Sequence, residues 1–256
     1  MEKPFNLFSL GGKNIIVTGA SSGIGQNVAI LCSQMGAKVT IIGRNEERLN
    51  DTFFQLEGQG HFKVKFDLTE TDKIKGMVSE IVSKLGIIDG LVCCAGISGI
   101  LPLKLITVEQ QEQYFRTNVF STIELTRQVL SIKNINTVGA SVVFFSSIMG
   151  LVGENSKSLY SMTKGALISA SRSLAVEYAK KKIRINCISP GVVITPINSN
   201  QPYIADPEKR ALLEAKHPLG LGQTNDIANA CVFLLSDASR WMTGQNLVID
   251  GGYTIL

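Results

Sequence analysis

The stretch NIIVTGASSGIGQNVAILCSQMG, residues 14–36, decides how the rest of the chain is read. Its opening NIIVTG is a short β-branched run bounded by glycine and reads as a buried strand over 14–19. Residues 25–35 then carry apolar positions at helical spacing, and Gly36 stands where a helix C-cap is expected. The turn between them holds Gly19, Gly23 and Gly25. Gly19 permits a tight exit from the strand. Gly23 and Gly25 let backbone approach a pyrophosphate and let the helix pack closely on the strand, with the helix N-terminus offering its N–H groups to an anion. The spacing GxxxGxG is one residue longer than the dinucleotide fingerprint GxGxxG. A glycine turn alone is weak evidence, and S-adenosylmethionine competes for such a loop. The strand before it and the helix after it favour a dinucleotide.

Working outward, the same alternation continues. Strands are expected at 38–43, within HFKVKFDL (61–68), within GLVCCAG (90–96), and at 141–147, 183–191 and 246–250. Helices are expected at 45–57, 71–85, 108–131, 159–180 and 225–235. The helix at 45–57 opens with Asn45 as N-cap and glutamates in its first turn. Strand–helix alternation of this length implies a parallel sheet covered on both faces: an α/β, doubly wound, Rossmann-like single domain over residues 1–256. Ligands of such sheets bind at the carboxyl ends of the strands, near the switch in strand order. Residues 201–217, with Pro202 and Pro207, are the least regular segment and read as a mobile lid.

Composition narrows the function. Of 256 residues, 45% are hydrophobic and 18% charged, which suits a sizeable core and excludes a disordered chain. A net charge of +4 without a dense basic stripe excludes a nucleic-acid footprint. Lys180, Lys181 and Lys182 read as cations closing a helix. The five cysteines, Cys32, Cys93, Cys94, Cys187 and Cys231, lack metal-ligand spacing and are an odd number, so neither a metal site nor a disulfide framework is expected. The opening MEKPFNLFSLGGK has no apolar core of a signal peptide, and no membrane-length apolar run follows. A cytoplasmic location fits.

At the end of the second strand, a dinucleotide site carries an acidic residue when it must bind a free 2′-hydroxyl. Here Gly43 is followed by Arg44, whose guanidinium suits a 2′-phosphate. NADP(H) is therefore expected, with NAD(H) as the alternative. Asp67, ending the third strand, is placed to accept from an adenine amino group or to cap the next turn. Farther on, Tyr160 and Lys164 lie four apart on one helix face. A tyrosine near its ordinary pKa of about 10 is a poor acid or base at neutrality, and a neighbouring ammonium lowers it. Ser147, thirteen residues before Tyr160, ends a strand at the same cleft and could donate to a carbonyl oxygen as charge develops.

These motifs resemble the short-chain dehydrogenase/reductase family over nearly the whole chain, with 3-oxoacyl-(acyl carrier protein) reductases as the nearest type. TGASSGIG, CCAG (93–96), RTNVF around Asn118, FFSS, YSMTK, SPG and TGQNLVIDGG carry the resemblance. It implies Asn118, Ser147, Tyr160 and Lys164 as catalytic residues, with Asn118 either holding a water in a proton relay to Lys164 or acting as a helix-kink residue. It implies cofactor contacts from Gly19, Ser21, Ser22, Gly23, Ile24, Gly25, Arg44, Asp67, Leu68, Ala95, Gly96, Tyr160, Lys164, Pro190, Gly191, Val193 and Thr195. It implies a small carbonyl or alcohol substrate and a homotetramer or dimer. Two departures stand out. Cys93–Cys94 replaces the family's asparagine pair, for which altered packing and intact activity are expected. Val176 in SLAVE replaces a basic residue that reductases of acyl carrier protein often carry. The pocket is expected from residues 97–103, 148–159 and 192–216, whose few charges favour a neutral or acyl substrate. The rival readings are a methyltransferase, an NAD-dependent sugar, polyol or steroid dehydrogenase of this family, and a non-catalytic dinucleotide sensor.

Overall fold

A computed structural model of the chain describes residues 6–256, so the first five residues of the N-terminal stretch judged for a signal peptide lie outside the described residues. The glycine turn joins β1 (Asn14–Thr18) to α1 (Gly23–Gln34). The alternation continues through β2 (Lys38–Gly43), α2 (Glu46–Phe54), β3 (Phe62–Lys65), α3 (Ile74–Leu85) and β4 (Gly90–Cys93). Then come α4 (Val108–Phe115), α5 (Ser121–Val129), β5 (Ser141–Phe145), α6 (Ser158–Tyr178) and β6 (Arg184–Pro190). The chain closes with α7 (Pro202–Ala205), α8 (Pro207–Glu214), α9 (Thr224–Leu235) and β7 (Asn246–Ile249). The seven strands form one parallel sheet in the order β3-β2-β1-β4-β5-β6-β7. This is the expected Rossmann-like domain, and the strand order reverses between β1 and β4, where such sheets open a crevice.

Alternating side chains send each strand into two apolar layers. Val17, Ile41, Val143 and Ile188 pack under α1 and α9 with Val28, Cys32, Ile227 and Cys231. Ile16, Ile42, Leu91, Val142 and Phe144 pack on the other face against α3, α5 and α6 with Val78, Ile81, Leu125 and Ile168. Each such side chain contributes about 1.5–3 kcal/mol on burial. These layers hold the carboxyl ends of β1, β4, β5 and β6 in fixed register, and the site stands on those ends. The buried cysteines act as small apolar fillers.

Two elements differ from expectation. The helix predicted over 108–131 is interrupted by a π-helical turn at Arg116–Phe120. Residues 201–217 hold two short helices, α7 and α8: Asp206 caps α8 through Glu208 and Lys209, and Pro207 occupies its first turn. Proline lacks only an N–H that a helix start leaves free, so here it begins a helix.

Candidate active site

At the phosphate end, Gly19 (φ +66°) and Gly23 (φ +61°) take conformations that disfavour a Cβ. A Cβ on Gly19 would stand 2.9 Å from Ala95 backbone, and one on Gly25 would stand 2.4 Å from the Gly19 carbonyl oxygen. Helix α1 therefore approaches β1 as closely as backbone allows, with Ile24 against the core. Ser22 is an extended N-cap whose side chain makes no capping bond, and the first turn holds no acidic residue. A glycine cradle beneath an uncapped, uncontested helix N-terminus fits a pyrophosphate.

The ribose end lies where β2 and β3 finish. Ser21 packs on Gly43, where a Cβ would stand 3.3 Å from its Cβ and Oγ. Arg44 is 68% exposed in its side chain and reaches Asp67 Oδ2 at 3.8 Å. Asp67 Oδ1 accepts from the Thr69 amide (2.9 Å) and hydroxyl (2.8 Å), so this carboxylate holds the turn after β3. Burial would raise its pKa. The Thr69 bonds and the Arg44 charge outweigh that and hold it below the ordinary value. Leu68 packs beside it on the second apolar layer.

The chemical end gathers residues distant in sequence. Ser147 follows β5 and Tyr160 lies in the first turn of α6, and the serine hydroxyl acts to lower the pKa of the phenol. Lys164 is 5% exposed and its Nζ lies 5.6 Å from the Tyr160 ring centroid. Lys164 Nζ donates to the Phe145 carbonyl at 2.7 Å. Asn118, fully buried in the π-helical turn, accepts from Ile97 N (2.8 Å) and donates to Ile97 O and Thr163 Oγ1 (both 3.0 Å). Its side chain thus ties the chain leaving β4 to α6. A Cβ on Gly96 would stand 3.1 Å from Asn118 Oδ1 and 3.5 Å from Lys164 Nζ, so Gly96 keeps this corner open.

One expectation changes here. Lys164 was expected to lower the tyrosine, but desolvation pushes Tyr160 up to about 12, with the Ser147 hydrogen bond opposing it. Lys164 is itself lowered to about 8 by burial. For each group, taking its charge out of water outweighs the neighbours that oppose the shift.

The remaining nucleotide candidates follow β6. Gly191 abuts Asp250, where a Cβ would fall 2.7 Å from its Cα, so Pro190–Gly191 crosses tightly under the chain after β7. Val193 is buried and pairs with Gly222. Thr195 faces the glycine turn, its Cβ 3.3 Å from where a Gly23 Cβ would stand.

Comparison with known proteins agrees with this geometry. A family model described as enoyl-(acyl carrier protein) reductase matches residues 19–254. A glucose 1-dehydrogenase of Gluconobacter oxydans is 34% identical over 248 residues, 95% of this chain and 92% of that protein. A 3-oxoacyl-[acyl-carrier-protein] reductase of Mus musculus is 35% identical over 237 residues, 92% and 95% of the two chains. The solved gluconate 5-dehydrogenase of Burkholderia cenocepacia, in complex with NADP and tartrate, superposes with a TM-score of 0.90 at 27% identity, covering 98% of each chain.

The chain belongs to the short-chain dehydrogenase/reductase family. It is an oxidoreductase of the kind that acts on CH–OH groups with a nicotinamide cofactor. In this short-chain dehydrogenase/reductase, the seam between β1 and β4 is tied by Thr18, whose hydroxyl accepts from Cys94 N and Ala95 N, both at 3.1 Å, and donates to Val92 O at 3.3 Å. Cys93 is buried, its Sγ 4.0 Å from Thr126 Oγ1. Thr18 was missed in the sequence because a threonine at a strand end reads as β-propensity alone. Other supports also escaped notice. Ser146 Oγ donates to Lys164 O at 2.8 Å, and Asn198 Oδ1 accepts from Thr195 N at 2.9 Å. Their neighbours in FFSS and ITPIN were the only available signal.

Proposed function

We propose that this enzyme is an NADP(H)-dependent oxidoreductase that interconverts a carbonyl and a secondary alcohol, with Tyr160 moving the proton. The convergence of Ser147, Tyr160, Lys164 and Asn118 beside Gly96, at the carboxyl ends of β4 and β5, carries this reading. The nucleotide would be held by the turn of Gly19, Ser21, Ser22, Gly23, Ile24 and Gly25, and by Asp67, Leu68, Ala95, Pro190, Val193 and Thr195. When bound it supplies or accepts the hydride. Arg44 supports the phosphorylated nucleotide, because it is the exposed cation at the end of β2 and no acidic residue precedes it there. Asp67 stands 3.8 Å from the guanidinium and leaves it exposed.

Tyr160 gives its proton to the substrate oxygen in reduction and takes it back in oxidation. Ser147 donates to that oxygen while charge builds on it. Lys164 keeps a positive charge near the phenol through neutral pH, which would offset part of the desolvation that disfavours the tyrosinate. Asn118 fixes the corner between the β4 exit and α6 within which Lys164 moves a proton. For the substrate, Val176 lies 80% exposed on α6 and puts no cation at the place where a reductase of acyl carrier protein would dock its partner. A small diffusible carbonyl or alcohol fits better. Exposed Trp241, Ile255 and Leu256 near the edge strand β7 support assembly as a homotetramer or dimer, and the free cysteines suit the cytoplasm. Among the described residues no helix is long and apolar enough to cross a membrane.

The test is titration with NADPH, NADH and S-adenosylmethionine, followed by a carbonyl panel with the nucleotide that binds. NADPH binding and NADPH-dependent reduction are expected. Binding of S-adenosylmethionine without NADPH would overturn the reading.

A further inference from the structure

The loop that enters α6 holds an unspent cation beside the reacting tyrosine. Ser156 sits at φ +62°, a left-handed conformation unusual for a residue with a Cβ. Lys157 follows as the N-cap of α6 and makes no side-chain capping bond. A cation there opposes the helix dipole, which favours negative charge at that end. Neither arrangement helps the helix. Backbone strain of this kind persists where the surroundings hold it, and it gathers at functional sites.

The Lys157 ammonium is partly buried and lies 5.9 Å from the centroid of the Tyr160 ring. Among the described residues it has no ion pair and no hydrogen bond, whereas Lys164, on the same ring, donates to Phe145 O. Desolvation lowers the Lys157 pKa, and the charge of Glu154 opposes that without making contact. The backbone around it is braced: Leu101 N donates to Ser156 O at 2.7 Å, joining the chain after β4 to the loop before α6. Between them lies a hollow of about 460 Å³ lined by Pro102, Leu103, Val152, Glu154, Asn155 and Ser156, among others.

We propose that Lys157 reads a free carboxylate on the substrate, so that the enzyme acts on a short oxo acid and its hydroxy acid in preference to a neutral ketone or a thioester. A partly desolvated ammonium with its donors unspent gains most from an anion, since a charge-assisted bond is roughly twice as strong as a neutral one. Glu154, whose charge is felt at Lys157, works against a second negative charge, which selects a monocarboxylate. The few charges that pointed to a neutral substrate include the one that matters. This inference rests on Tyr160 as the proton-transfer group.

Steady-state kinetics on charged and uncharged pairs test it: pyruvate against methyl pyruvate, acetoacetate against ethyl acetoacetate, and levulinate against ethyl levulinate, each with NADPH and with NADH. The wild type is expected to favour the acid in at least one pair by about tenfold or more in kcat/KM. Lys157→Gln should raise KM for that acid by about tenfold, with a much smaller change in kcat and in the ester's KM. Lys157→Arg should restore much of the preference. Lys180→Gln, the same loss of charge in the turn just after α6, should leave the preference in place. Equal losses on acid and ester in Lys157→Gln would overturn the inference. Ester preferred in all three pairs, with turnover still abolished by Tyr160→Phe, would overturn it and leave the oxidoreductase reading standing. No turnover of any compound with either nucleotide would count against both.

Discussion

At the phosphate end of the cleft, Gly19, Gly23 and Gly25 contribute almost nothing but backbone. At the chemical end, Asn118, Ser147, Tyr160 and Lys164 contribute side chains from three separate segments, the last two at a cost in desolvation. The first end works by leaving matter out: a single Cβ on Gly25 would meet a carbonyl oxygen at 2.4 Å. The second works by forcing matter in, and it leaves a lysine near 8 and a tyrosine near 12. The phosphate end is therefore intolerant of added volume, while the chemical end is intolerant of changed polarity.

Substitutions can break that contrast. The largest effect is expected from Tyr160→Phe, which keeps volume and removes the proton. kcat should fall about 10³-fold while NADPH affinity, read by fluorescence titration, stays within a few-fold. A retained kcat would remove Tyr160 from the chemistry. Next is Gly25→Ala, which adds one methyl group to the other end. Overpacking of this kind costs about 1–3 kcal/mol, so urea unfolding should shift to lower denaturant and NADPH binding should weaken with it. A variant that binds NADPH normally would show that α1 can retreat from β1.

Arg44→Ala should be milder and selective, since it removes one charge-assisted contact from an exposed side chain. NADPH should lose about tenfold in affinity and NADH hardly any. Equal losses would mean that Arg44 does not read the 2′-phosphate.

The smallest effect is in pH-dependent stability. An unfolded lysine holds its proton to about 10.5, and Lys164 gives its proton up near 8. Across that window the unfolded chain binds more protons, so stability should rise with pH. Tyr160 has the opposite sign, because it keeps its proton to about 12 while an unfolded tyrosine loses its own near 10. Stability should fall across that second window. Thermal unfolding from pH 7 to 10 should show a rise in the wild type, on the order of 1 kcal/mol, that Lys164→Met lacks. Parallel curves would mean that the ammonium is not desolvated.

The same contrast explains what could be read in the sequence. Backbone requirements leave a direct mark, because only glycine meets them. The turn at 18–25, the β1–α1 unit and the parallel alternation were therefore legible. Side-chain roles at the chemical end were legible as residue types, but their environment was not. The spacing of Tyr160 and Lys164 says that they share a face, and it does not say that protein crowds out the water around the lysine and lowers it to about 8. The π-helical turn at Arg116–Phe120 had Asn118, a possible helix-kink residue, as its one signal, and the apolar spacing around it still read as a continuous helix. The prolines of 201–217 were read as breakers, because their meaning depends on whether they fall in the interior or at the first turn.

The backbone hydrogen bond from Leu101 to Ser156 has a practical bearing on engineering. It makes the chain after β4 and the loop before α6 one unit of inheritance, although some fifty residues separate them. A chimera that exchanges only one of these loops with a relative would mismatch the two halves of the pocket rim. Recombination that moves both together should carry substrate preference with it and leave the nucleotide site behind.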